Sequence, residues 1–90
     1  MSSNREHGFF TLKVDEHLVI CELVGPFNEE GILLWIDEIK VLINGFNGMP
    51  FCALVDHRQH QGVIYSALHH LRDAYEWLLQ KNLIAIASLY

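Results

Sequence analysis

Phe51-Cys52-Ala53-Leu54-Val55 is an unbroken apolar run that stops at Asp56. A run so short and so apolar fits the central strand of a parallel sheet, which is covered on both faces. Parallel neighbours are joined only by long crossovers, usually helices. The sequence offers one helical pattern on each side of the run. Upstream, Ile32, Trp35, Ile36, Ile39, Leu42 and Ile43 recur at helical spacing, and Asp37, Glu38 and Lys40 fall on the other side. Asn28 suits the N-cap of that helix, and Glu29 and Glu30 sit at the positive end of its dipole. Asn44-Gly45 ends it, with Gly45 suited to a left-handed terminal position. Downstream, after a polar segment from His57 to Gly62, a second helix runs from Ile64 or Tyr65 to Lys81. Leu68, Leu71, Tyr75, Leu78 and Leu79 form its core side.

Three more strands complete the pattern. Phe9 to Val14 alternates apolar and polar residues, as a half-buried strand does. Asp15-Glu16 makes a short turn into Leu18 to Val24, a second strand ended by Gly25-Pro26. Leu83 to Leu89 reads as a last buried strand. The order is β-β-α-β-α-β. It predicts an α/β domain with a mixed, mostly parallel four-stranded sheet over residues 1–90, with residues 1–7 a disordered tail. Right-handed crossovers that advance in one direction put both helices on one face of the sheet and leave the other face in need of cover.

Ninety residues make one domain. The chain is 51% hydrophobic and 19% charged, more apolar than an average soluble domain. That excess calls for strands buried on both faces, an oligomer interface, or both. The net charge is −5, and the cations Arg5, Lys13, Lys40, Arg58, Arg72 and Lys81 are scattered. No concentrated positive face is available for phosphates, so neither nucleic acid nor an anionic membrane surface is an expected partner. No stretch approaches the ~18 apolar residues of a membrane helix, so no membrane insertion is expected. The N-terminus has no signal-peptide core. Cys21 and Cys52 form no CxxC motif and read as free thiols in a reducing compartment, which predicts a cytoplasmic protein.

Taken together, three stretches resemble the STAS superfamily, the SpoIIAA-like fold, and in particular its STAS/SEC14-like bacterial branch. They are Val24-Gly25-Pro26-Phe27-Asn28 leading into the first helix, Phe51 to Asp56, and Val63-Ile64-Tyr65-Ser66-Ala67-Leu68 opening the second helix. The resemblance implies a regulatory, protein-interacting module. In phosphorylatable members a serine lies at the start of this second helix, within an Asp-Ser-Ser-Gly-like motif. Ser66 falls at that place, but Ile64-Tyr65-Ser66-Ala67 lacks the Asp and the Gly, so Ser66 is expected not to be a phosphosite and instead to cap or pack near the helix start. The family usually adds one more helix after the last strand, and its absence here implies that a partner or a further segment covers that surface.

Asp56, His57, Arg58 and His60, with Ser66 beyond them, make the densest polar stretch and the candidate interaction loop. Asp56 lies at the carboxyl end of a parallel strand, where open α/β sheets bind ligands. Histidines and a carboxylate so close together could hold a metal, but His69 and His70 point about 100° apart on a helix, and a solvated polar loop is the preferred reading. Ser66 is one helical turn from His69 and His70, yet no Gly-x-Ser-x-Gly elbow is present. No catalytic residue, metal or cofactor is therefore expected. Trp35 falls on the core stripe, and Trp77 lies off it, a partly exposed interface anchor.

Two functions remain. One is a non-catalytic protein-interaction module, expected as a homodimer with a possible protein partner. The other is a carrier of a small apolar, lipid-like ligand, as the SEC14-like resemblance implies. A filled space between helices and sheet argues against the carrier, and an apolar pocket of ~300 Å³ or more argues for it.

Overall fold

The computed structural model describes residues 8–63 and 65–90. The expected tail over residues 1–7 and the residue Ile64 lie outside the described residues. Strands β1 (Phe9–Asp15) and β2 (Leu18–Phe27) form a hairpin, followed by helix α1 (Glu29–Asn44) and strand β3 (Phe51–Val63). A 3-10 turn (Tyr65–Ala67) leads into helix α2 (Leu68–Gln80), and strand β4 (Leu83–Leu89) closes the order. The sheet runs β1-β2-β3-β4, with β1 antiparallel to β2 and the other pairs parallel. This is the mixed α/β sheet that the sequence predicts. Both crossovers step the same way across it, which puts α1 and α2 side by side, in contact, on one face.

Local chemistry explains the elements. The Asn28 side chain accepts a hydrogen bond from the Gly31 N–H at 2.9 Å, so α1 starts where the sequence places its cap. Ile32, Trp35, Ile36 and Ile43 are buried on its inner side. They meet Val19, Cys21 and Leu23, the alternate residues of β2, and Phe51 and Val55 of β3. Each such aliphatic or aromatic side chain contributes roughly 1.5–3 kcal/mol on burial.

The structure corrects the sequence reading in four places. The polar segment from His57 is not a loop: β3 continues through it to Val63, because β2 also continues past Gly25-Pro26 to Phe27 and supplies a pairing edge. Gly45 is right-handed (φ −68°), and the chain turns instead at Asn47 (φ 55°) and Gly48 (φ 83°). That later turn lets Phe46 stack on Phe51, ring centroids 5.6 Å apart. Helix α2 is rolled, so that Leu71, Ala74, Trp77 and Leu78 pack on the core while Leu68, Tyr75 and Leu79 are exposed. The roll covers the large surface of Trp77, which outweighs a leucine. Finally, β4 is a sheet edge with β3 as its one neighbour, and only Leu83 in it is buried. Ile84 is 69% exposed and Ile86 43%.

Candidate functional site

The polar stretch after Val55 is built on a bulged strand. Glu22 pairs with Asp56 and Val24 with Gln59, so between them one residue of β2, Leu23, opposes two of β3, His57 and Arg58. Strand alternation sends Asp56 and Arg58 to the face without helices and His57 to the helix face. The extra residue brings His60 back beside His57: both line the same cleft under the helices. The predicted interaction loop is thus divided between two faces of the sheet. Period-two reasoning could have separated Asp56 and Arg58 from His57, but the bulge has no sequence signal of its own.

On the open face, Arg58 closes on Asp56. Its Nη2 donates to Oδ2 at 2.7 Å, and its Nε and backbone N–H each donate to Oδ1 at 3.0 Å. These bonds hold the Asp56 carboxyl down at about 2, the side-chain bonds first and the backbone N–H second. The same contacts raise the Arg58 guanidinium above its ordinary value, and Glu22 adds to the effect.

On the helix face, His57 and His60 meet Nδ1 to Nδ1 at 3.0 Å. His57 also stacks on Tyr90 with centroids 4.9 Å apart, and His60 stands edge-on to Phe27 at 5.3 Å. Both rings belong to the wall of a half-open cleft of about 220 Å³ between α1, α2 and the sheet. The wall is almost wholly apolar, with Leu23, Trp35, Ile36, Leu71, Trp77 and Ile86 prominent in it. The space under the helices is therefore not filled, yet it falls short of the ~300 Å³ expected of a lipid-sized pocket. Trp77 is a wall residue of this cleft, not a free surface anchor.

Ser66 is exposed and lies apart from the cleft, near Leu68, His69 and Arg72. Ala67 holds the N-cap position of α2 without a side-chain bond, so Ser66 does not cap the helix. Among the described residues no hydrogen bond joins Ser66 to His69 or His70. His70 instead meets Glu29, Nε2 to Oε2 at 2.8 Å, and ties α2 to the first turn of α1. No three His, Cys, Asp or Glu among the described residues converge on a common point that could hold a metal. Cys21 and Cys52 are free. Burial pushes the Cys21 thiol up to about 11, and the nearby Trp35 indole opposes this in part. No helix among the described residues is long and apolar enough to cross a membrane.

Neither a family model nor a curated protein matches the sequence. Among solved structures, the fold superposes on one described as a crystal structure analysis of Mglu, with a TM-score of 0.71 and 10% identity. The match covers 86% of this chain but spans only 18% of that one. At this identity the likeness is one of fold, shared with a small part of a larger protein.

Proposed function

We propose that this chain is a non-catalytic interaction module of the STAS kind and that it pairs with a second copy of itself through the open face of the sheet. The observation that carries the reading is the one-sided placement of the helices. It leaves Leu18, Ile20, Leu54, Ala85, Ala87 and Leu89 on a face that no layer covers among the described residues, since these residues are register partners or alternate with the buried set. Contiguous apolar surface beyond a few hundred Å² is uncommon on soluble monomers.

The charge pattern supports a second copy as the occupant. A twofold interface sets a patch against itself, so a strongly charged patch repels its partner. The chain carries −5 overall, but this face is nearly balanced. Register places Lys13, Asp15, Glu22, Asp56 and Arg58 on it, and Asp56 and Arg58 already neutralise each other. The apolar centre with a paired polar rim is the usual anatomy of an interface. The element order and the Val24 to Asn28 stretch entering α1 support the STAS resemblance, and two free cysteines support a reducing, cytoplasmic setting.

Sedimentation of two variants tests the surface used. Leu54→Arg, at the centre of the open face, is expected to sediment as a monomer. Leu34→Arg, on an exposed position of α1, is expected to remain paired. Pairing that survives Leu54→Arg and fails in Leu34→Arg would move the interface to the helices and refute this reading.

A further inference from the structure

The geometry points to a second, separate property: we infer that the cleft between the helices binds a small aromatic anion, a one- or two-ring body bearing a carboxylate. Size comes first. An apolar cavity of about 150 Å³ takes up benzene, so a cleft of about 220 Å³ has room for two fused rings and not for an acyl chain of lipid length. The wall suits a flat apolar body, because it presents two tryptophans and several aliphatic side chains with few polar atoms.

Charge then sets the class. The chain has 11 Asp and Glu residues against 6 Lys and Arg, yet no carboxylate is among the described residues that line the cleft. Among the described lining residues the one formally charged side chain is Lys40. Its ammonium lies 5.4 Å from the Trp77 ring centroid, and Lys81 brings a second ammonium to 5.3 Å from the same ring. Neither lysine forms an ion pair among the described residues. Two cations, one on α1 and one at the residue that follows α2, therefore meet on one wall residue of an apolar cleft, in an otherwise acidic protein. An anionic group at that wall gains from both, and a ring in the cleft stacks against the indoles.

Titrating the 90-residue chain with 1-naphthoate, read by tryptophan fluorescence, tests this. The expected result is saturable quenching that weakens as salt rises, because the lysine contribution is screened. The double variant Lys40→Ala, Lys81→Ala is expected to bind 1-naphthoate at least about fivefold more weakly. Neutral 1-naphthylmethanol is expected to bind the parent and the variant equally. Circular dichroism of the variant confirms that it is folded. Ala74→Leu, which fills the cleft from α2, gives an independent arm and is expected to abolish binding of both probes. Absence of saturable quenching by 1-naphthoate overturns the inference. So does undiminished binding in the folded lysine variant, which would remove the anion preference, and tighter binding of myristate than of 1-naphthoate, which would return the cleft to a lipid. Because none of these readouts measures association of two copies, they stand or fall apart from the pairing proposed above.

Discussion

His57 and His60 face each other Nδ1 to Nδ1 at 3.0 Å, on one side of a strand although three positions separate them. Such a contact requires one ring to donate and the other to accept. Two neutral imidazoles in this contact are therefore different tautomers. Nitrogen NMR of the two rings is expected to show one protonated and one bare Nδ1. Two rings both protonated only at Nε2 would contradict the contact.

The Asp56–Arg58 pair makes a pH prediction with a definite sign. The Asp56 carboxyl is held down at about 2, below its unfolded value of about 3.9. A depressed carboxylate stabilises the folded state above its unfolded pKa, and that contribution is lost as pH falls through the folded value. Asp56→Asn should therefore narrow its stability difference from the parent chain between about pH 4 and pH 2. A carboxyl titration for Asp56 centred near 4 would show that Arg58 does not hold it in solution.

How much of this was legible beforehand depends on the length scale of the signal. The element order, the Asn28 cap and the inner stripe of α1 follow from local spacing, and the structure has them as expected. The strand conformation of His57 to His60 was not legible, because whether they form loop or strand is decided by β2, some 35 positions upstream, which offers them a partner. Trp77 fails for a related reason. Its side of α2 faces the core only once the roll of that helix against α1 is fixed, and no periodicity within α2 states the roll. The burial of β4 was misread because its apolar run looks the same in the middle of a sheet as at its edge.

The cysteines should differ in reactivity. Cys21 is buried with its thiol raised to about 11, and Cys52 is half-buried. The thiolate is the reacting form. Cys52 lies on the open face between Leu18 and Ala85, so with a disulfide reagent at pH 8, in chain dilute enough to be unpaired, Cys52 is expected to react first and Cys21 only after unfolding. A raised thiol favours the folded state fully below its unfolded value of about 8.5, and that contribution is lost as pH rises through 11. Two fast equivalents in the native protein would place Cys21 at the surface.

Phe27 anchors the end of β2. It is 1% exposed, and its ring fills the space beside Gly8, where an added Cβ would lie 2.6 Å from it. Phe27→Ala is expected to cost about 3–5 kcal/mol, a large share of the stability of so small a domain. Chemical denaturation measures it. A loss below about 1 kcal/mol would mean that Phe27 is not part of a packed core.

Pairing through the open sheet face is the central claim, and the mass in solution tests it most directly. Light scattering at micromolar concentration is expected to give a mass near twice the 10.4 kDa of one chain. A mass near 10.4 kDa that holds as concentration rises would contradict it.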